Sequence, residues 1–358
     1  MSEPTIYVAM SGGVDSSVAA ALLVEQGYRC EGATLKIFDD RSQSTEKSRG
    51  FSEPIRDARA ICDKLNIPHH TIDVVDFFRE KVIAQFVNEY LNGRTPNPCV
   101  ECNRYVKFGY LMEKLPAVGG DRIATGHYIR VGKRGSRFAL RRGVDRAKDQ
   151  SYFLWRLTQE QLKRALFPLG ETSKSETRSL ARELGFSVAE KQESQEICFI
   201  SDNNYAGFVR RKAGNMPKPG RILDMDGNVL GEHKGIAYYT VGQRRGLGLS
   251  MPRPVYVARI DAKQNAIIVS ENESLFHKCL RAHHVVWSGM DSLHQPINAT
   301  AQIRYRHQAQ PGRLFFYPDS TVEFCFETPQ RAITPGQSVV FYDDSGWIIA
   351  GGVIESVF

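Results

Sequence analysis

Residues 9 to 17 read AMSGGVDSS, from Ala9 through Ser17. The stretch closes a short apolar strand, TIYVAM, and opens an Ala/Leu-rich helix, DSSVAAALLVEQGY, in which Asp or Ser is available as the cap and Gly27 is placed to end the helix. A strand that turns at once into a helix aims successive backbone N–H groups and the positive end of the helix dipole at one spot, which makes an anion site. Gly12 and Gly13 permit close backbone approach, Ser11, Ser16 and Ser17 add hydroxyl donors, and Asp15 is the candidate ligand for magnesium. No Lys stands where a Walker loop needs one, and G-x-G-x-x-G is absent, so a kinase-type phosphate loop and a dinucleotide site are both disfavoured.

Outward from this turn the pattern continues to alternate. GATLKIF reads as a second strand. From Pro54, placed for a first helical turn, PIRDARAICDKLNI puts Ile55, Ala58, Ile61, Cys62 and Leu65 on one helical face. HTIDVV, a long helix from about Asp76 to Leu91, a cysteine loop, the helix RYVKFGYLMEKL and the strand DRIATG follow. Strands separated by helices predict an α/β fold with a doubly wound parallel sheet. After about residue 200 the texture changes to short strands and turns: RILDMDGNVLGEH and VYVARIDAKQNAIIVS read as hairpins. From Ala282 onward the strands are closely spaced, the pattern of a small β-barrel. The predicted organisation is therefore 1–202, 203–276 as a small mainly-β central domain, and 277–358 as the C-terminal barrel; residues 39 to 50, DDRSQSTEKSRG, read as a mobile polar loop.

The chain has 358 residues, 42% hydrophobic and 24% charged, which predicts two or three domains of ordinary globular composition. No basic leader runs into a long apolar stretch, and no run approaches the roughly 18 apolar residues of a membrane span, so the expected location is cytoplasmic. Net charge is +7 and unevenly placed: residues 130 to 148 carry eight Lys/Arg against one Asp, and 208 to 221 repeat the bias. Such clusters suit either a solvated face or a polyanion. The odd count of seven cysteines argues against a disulfide framework. Cys30, Cys62, Cys279 and Cys325 lie in apolar stretches and read as small buried hydrophobes.

Cys99 and Cys102 stand as C-x-x-C in NPCVECNR, in a loop stiffened by Pro96 and Pro98, and Cys198 lies in SQEICFIS. The spacing alone suits half a zinc site, a redox pair or a catalytic thiol. A zinc knuckle lacks its second pair, and adjacent His69 and His70 read as strand residues. A thiol near a helix start and basic groups is expected to have a depressed pKa.

S-G-G-x-D-S after a first strand resembles the PP-loop of N-type ATP pyrophosphatases, which split ATP into AMP and pyrophosphate while adenylating a carbonyl oxygen. Across nearly the whole chain, MSGGVDSSV, TPNPCVECNRYVKF, ATGHY, KDQSYFLW, SQEICFI, GIAYYTVGQRRGLG, RYRH and TPGQSVVFY together resemble the tRNA-specific 2-thiouridylases, which put sulfur on the wobble uridine. The resemblance implies ATP binding by Ala9, Met10, Ser11, Gly12, Gly13, Val14, Asp15 and Ser16, with Leu35 and Gly126 near the adenine or ribose. It implies that Cys198 carries a persulfide sulfur delivered by a cysteine desulfurase or relay protein, and that Cys102 is the partner thiol, resolving the intermediate as a Cys102–Cys198 disulfide or releasing hydrosulfide. Asn97, Pro98 and Cys99 match the segment that meets the target base, and His127, Lys148, Asp149, Gln150, Arg304, Tyr305 and Gln337 match tRNA-contacting positions. Some members carry Asp where this chain has Cys99. Cys99, Cys102 and Cys198 also make a three-thiolate set of the kind related tRNA thiolation enzymes use for a [4Fe-4S] cluster, the alternative mechanism. With barrel and basic face committed to RNA, a monomer is expected. An AMP-forming ligase acting on a small metabolite, or an RNA-binding protein with a degenerate loop, are the competing functions; the first predicts indifference to Cys102→Ser and Cys198→Ser, the second no ATP turnover.

Overall fold

Alternation along the first strand sets up the two faces of a central sheet. In β1 (Thr5–Ala9) Ile6 and Val8 point one way and Tyr7 the other, and all three are buried. The computed structural model describes residues 5–38, 49–114, 120–192, 197–200, 202, 204–214, 218–292 and 295–358. Flanking β1 are β2 (Cys30–Lys36), β3 (His69–Asp73), β4 (Gly120–Ala124) and β7 (Ala165–Leu166), all parallel, in the order β3-β2-β1-β4-β7. The direction of winding reverses between β1 and β4. In open sheets of this kind a ligand binds beyond the carboxyl ends of the strands at that reversal.

On one face, α1 (Val14–Glu25) buries nearly its whole surface with α2 (Arg49–Lys64) and α8 (Lys174–Glu183), against Ile6 and Val8. Two local expectations are corrected here. No side chain caps α1: Gly13 takes the N-cap position, and the hydroxyls of Ser16 and Ser17 donate back to its carbonyl at 3.1 and 2.9 Å. Helix α2 starts before Pro54, which sits inside it. The expected polar loop lies outside the described residues up to 48, and its last two residues open α2.

The opposite face carries two helical runs, each with a segment of i→i+5 hydrogen bonding. The first is α3 (Val75–Phe78), a π segment Arg79–Ile83 and α4 (Ala84–Leu91); the second is α5 (Pro98–Glu101), a π segment Cys102–Tyr110 and α6 (Leu111–Lys114). A hairpin, β5 (Ile129–Arg134) with β6 (Arg137–Arg142), and α7 (Gln159–Arg164) complete this part.

Beyond α9 (Tyr205–Lys212), β8 (Gly220–Leu223), β9 (Val229–His233), β10 (Tyr256–Asp261) and β11 (Ala266–Ser270) form a four-stranded sheet in the order β10-β11-β8-β9. Both expected hairpins are present; Gly227, at φ +88°, makes the β8–β9 turn. The last part is a closed six-stranded barrel of β12 (Phe276–Trp287), β13 (Ile297–Gln302), β14 (Gln310–Phe316), β15 (Val322–Arg331), β16 (Ser338–Tyr342) and β17 (Ile348–Val357), joined in the order β12-β15-β14-β13-β16-β17. Closure removes the exposed sheet edges that six short strands would otherwise leave.

Cys279 and Cys325 are not the buried hydrophobes expected. They face each other across β12 and β15, half-buried, with Cα atoms 4.1 Å apart, and are bonded as a disulfide. Among the described residues no helix is long and apolar enough to cross a membrane.

Barrel and parallel sheet share one core. Trp155, fully buried, lies with Tyr7, Phe108 and Ile123 of the sheet layer and with Val340, Tyr342 and Ile348 of the barrel. Its ring fits only because residue 351 is glycine: a Cβ there would lie 2.5 Å from the indole. The Tyr152 hydroxyl donates to the Ser338 carbonyl at 2.9 Å, and Gln337 donates to the carbonyls of Thr95 and Pro96 at 2.9 and 3.2 Å.

Candidate functional site

The nucleotide turn sits at the sheet reversal, past β1 and beside the end of β4. Gly12 has φ +68°, and a Cβ on it would come within 2.5 Å of the Pro54 carbonyl oxygen, so glycine is required both for the turn and for the approach of α2. Ser11 bonds to the Ser16 hydroxyl through its backbone N–H and its side chain, each at 3.2 Å. Gly126, just past β4, presses against the same turn: its Cβ would lie 2.6 Å from the Asp15 carbonyl carbon. Ala9, Met10, Val14 and Leu35 are packed into the surrounding cores.

Asp15 has partners that its position in the sequence does not announce. Its carboxylate accepts from Lys174 Nζ through both oxygens, at 2.7 and 2.9 Å, and from the Tyr128 hydroxyl at 2.8 Å; the same hydroxyl lies 3.0 Å from Thr177 Oγ1. Lys174 is the first residue of α8, held under a capping box formed by Ser173 and Glu176. A single carboxylate already shared with an ammonium and a phenol is a poor magnesium site.

Cys99 and Cys102 are on a helix and not in a loop. Pro98 takes the first helical position, where its missing N–H costs nothing, Cys99 follows, and Cys102 begins the π segment. Behind them Glu101 and Arg156, both buried, form an ion pair. Cys99 and Cys198 are exposed and Cys102 is half-buried, yet the protein packed around all three disfavours a thiolate. The expected depression of the thiol pKa is therefore reversed. Burial pushes Cys99 up to about 11 and Cys198 up to about 12, and it raises Cys102 too; each lies close enough to another of the three to add to the effect for Cys99 and Cys198, while Lys107 opposes it in every case.

His127 is buried. Its Nδ1 pairs with the Thr125 hydroxyl at 2.7 Å, and burial, with Lys107 adding, drives its pKa well below the ordinary value, so the ring is neutral at physiological pH. Among the described residues no group of three His, Cys, Asp or Glu side chains is arranged to hold a metal ion.

Three families match the chain in succession: tRNA methyl transferase HUP domain over residues 4–202, tRNA methyl transferase PRC-barrel domain over 207–271, and aminomethyltransferase beta-barrel domain over 277–354. The tRNA-specific 2-thiouridylase MnmA of Clostridium beijerinckii is 46% identical over 354 residues, covering 98% of this chain and 99% of its own. The tRNA-specific 2-thiouridylase MnmA 1 of Caldanaerobacter subterraneus subsp. tengcongensis is 48% identical over 355 residues, covering 98% and 97%. The chain belongs to the tRNA-specific 2-thiouridylase family. Among solved structures, the U34-tRNA thiolase NcsA from Methanococcus maripaludis with its [4Fe-4S] cluster aligns over 60% of this chain and 67% of its own, at 17% identity and a TM-score of 0.34, too slight a likeness to argue from.

In this 2-thiouridylase-family chain the expected tRNA-contacting residues are tied into the protein itself. Asp149 accepts from the Gly143 N–H at 3.0 Å and from the Ser151 hydroxyl at 2.6 Å, and burial raises its pKa. Gln150 accepts from the Tyr128 N–H at 3.0 Å. Arg304 donates to the Arg331 carbonyl at 3.2 Å, Tyr305 packs on Phe153 with ring centres 4.4 Å apart, and Gln337 bonds the chain just before Asn97. Asn97 and Pro98 line a cavity of about 290 Å³ between the helical face and the barrel, which also meets Glu101, Arg156 and His283. Lys148 follows the turn at Asp145, and nearby Arg146 is crowded by burial and by Arg142, Arg130 and Arg141. The hairpin thus concentrates positive charge in the way a polyanion site requires. Sequence reasoning missed Tyr128, Lys174 and Thr177 behind Asp15, the Glu101–Arg156 pair, and Lys107. The signal available for Lys174 was Ser173 with Glu176, a capping box that places position 174 at a helix start.

Proposed function

We propose that this chain is an ATP-dependent tRNA-uridine 2-sulfurtransferase. The C2 carbonyl oxygen of the target uridine attacks the α-phosphorus of ATP, forming a C2–O–P bond and releasing pyrophosphate. Ala9 through Ser16 hold the leaving phosphates on backbone N–H groups and serine hydroxyls, Lys174 and Tyr128 fix the turn through Asp15, and Gly126 closes it from the side of β4. Magnesium bound to the nucleotide would supply charge neutralisation on the phosphates.

Sulfur is delivered to Cys198 as a persulfide by a cysteine desulfurase or relay protein. Two orders of events balance. Either the outer sulfur attacks C2, AMP leaves with the oxygen, and the Cys102 thiolate cleaves the C2–S–S–Cys198 link at the Cys198 sulfur; or Cys102 attacks that sulfur first and frees hydrosulfide, which then displaces AMP. Both yield 2-thiouridine and a Cys102–Cys198 disulfide, which takes two electrons from a thiol reductant before the next turnover. The observation that carries this reading is that Cys102 lies close enough to Cys198, 96 residues on in the sequence, to act on it electrostatically, in a chain of this family with an intact nucleotide turn. Asn97, Pro98 and Cys99 are the segment we assign to the base, which has to leave its stack to reach C2. His127, Lys148, Asp149, Gln150, Arg304, Tyr305 and Gln337 are assigned to the tRNA surface; for Asp149, Gln150 and Gln337 this means shaping the backbone that the RNA meets.

The test is to incubate the protein with ATP, magnesium, a persulfide donor and unmodified tRNA, and to measure 2-thiouridine by mass spectrometry after digestion. Cys198→Ser and Cys102→Ser are expected to lose at least about 100-fold of the product, as when a covalent step is removed, while ATP binding stays intact. Equal product from wild type and Cys198→Ser would show that the sulfur carrier is misassigned.

A further inference from the structure

Lys107 lies five residues beyond Cys102 within the π segment Cys102–Tyr110. In an α-helix five residues turn roughly 140°, which would carry Lys107 to a different face from Cys102. The wider i→i+5 winding brings residue i+5 back over residue i, and π segments concentrate at functional sites for this kind of re-aiming. The electrostatic consequence is visible at four positions: the charge of Lys107 acts on Cys99, Cys102, Cys198 and His127. The side chain is half-buried, and among the described residues it has no carboxylate within ion-pair distance. Among the described residues, the groups its charge acts on are three thiols that burial shifts toward the protonated form and an imidazole that burial shifts toward the neutral one. A partly desolvated ammonium beside neutral groups is costly, and the cost is recovered when one of those sulfurs becomes an anion.

We propose that Lys107 is a further catalytic residue, the counter-ion that stabilises the sulfur anion of this site, and that the π segment exists to place it there. The proposal rests on the sulfur-transfer reading above. The sulfur anion is successively the Cys198 perthiolate, the attacking Cys102 thiolate and, in the order that frees it, hydrosulfide. Lys107 acts through its charge and adds no covalent step. Burial works against the thiolate at all three cysteines, and among the described ionisable groups that act on them Lys107 is the one that opposes burial at all three.

The test compares wild type, Lys107→Met and Lys107→Arg. At one fixed near-neutral pH, alkylation of Cys198 and Cys102 by iodoacetamide, followed site by site by mass spectrometry, is expected to slow about tenfold in Lys107→Met, because losing a neighbouring cation shifts a thiol by about one pKa unit, and to return to within about threefold of wild type in Lys107→Arg. Single-turnover thiolation is expected to fall in parallel, with KM for ATP unchanged. Wild-type alkylation rates in Lys107→Met overturn the proposal. So do equal losses in the Met and Arg variants, which mark a packing role. Lys107→Gln, with circular dichroism as the check on folding, takes the place of Lys107→Met if the latter does not fold. Alkylation reports the field of Lys107 whether or not sulfur is transferred, whereas product formation by Cys198→Ser tests the underlying reading separately.

Discussion

Lys174 meets both oxygens of Asp15 at the edge of the nucleotide turn, and its side chain is almost wholly buried. Removing the cation leaves a partly buried carboxylate whose remaining partner among the described residues is the Tyr128 hydroxyl. Lys174→Met is therefore expected to lose about 2 kcal/mol of stability and to raise KM for ATP, read by chemical denaturation and steady-state kinetics; an unchanged KM would detach Lys174 from the nucleotide turn. Thiol burial makes a second prediction at this scale. Cys62 and Cys99 are pushed up to about 11 and Cys198 to about 12, so between about pH 9 and 12 the unfolded chain releases protons that the folded chain retains. The folded state then binds more protons, and stability falls as pH rises through that window, having been complete below it. Denaturation midpoints in reducing buffer at rising pH check this, and Cys198→Ser is expected to flatten the slope in part, since the buried phenols of Tyr7, Tyr90, Tyr152 and Tyr342 shift in the same direction. What was legible in the sequence at this scale was local. AMSGGVDSS carries its own turn chemistry, whereas the partners of Asp15 lie 113 and 159 residues away, and nothing in the string of letters measures that distance in space. The thiol pKa was misjudged for a related reason: helix start and nearby cations are sequence features, but desolvation is a property of everything packed around them.

Among the elements, the helix that bears the thiols depends on a charged pair at its back. Glu101 stands between Cys99 and Cys102 in the C-x-x-C stretch, and its ion pair with Arg156 is buried on both sides. Arg156→Met strands the carboxylate and is expected to cost about 3 kcal/mol or more. Glu101→Leu with Arg156→Met removes both charges and is expected to recover most of that loss in the same denaturation assay; a double variant no better than the single one would mean that packing, not charge, is at stake. Strands and amphipathic helices of the first domain were readable because periodicity is fixed by burial on one side. The π segments were not. A single added residue per turn leaves the apolar pattern of so short a run almost unchanged, so RYVKFGYLMEKL reads as a plain helix and the placement of Lys107 stays hidden. Helix α5 was mistaken for a loop because NPCV looks like a turn when its first helical residue is a proline that equally suits either. The Cys279–Cys325 bond was missed because cross-strand partnership depends on barrel register, which no short window of sequence records.

At the scale of the whole molecule, the composition change near residue 200 announced a different kind of structure, and the strand-rich end announced a barrel. The join between barrel and parallel sheet was unannounced, since it is made by buried contacts and not by a linker. Trp155 enters the core where sheet layer and barrel meet, with Gly351 leaving room for its ring. Trp155→Ala is expected to cost about 3–5 kcal/mol, and thermal unfolding of the wild type is expected to carry the sheet layer and barrel through one transition; separate transitions in calorimetry would refute a common core. The bonds from Gln337 to Thr95 and Pro96 add a further reach, because those two residues lead directly into the helix of Cys99 and Cys102. A barrel borrowed from a relative and spliced on at residue 277 would arrive with a foreign grip on that lead-in. Exchange among relatives should therefore preserve activity when sheet layer and barrel travel together, so the heritable unit is larger than any one domain, and the barrel's sequence is constrained by chemistry that takes place in another part of the chain.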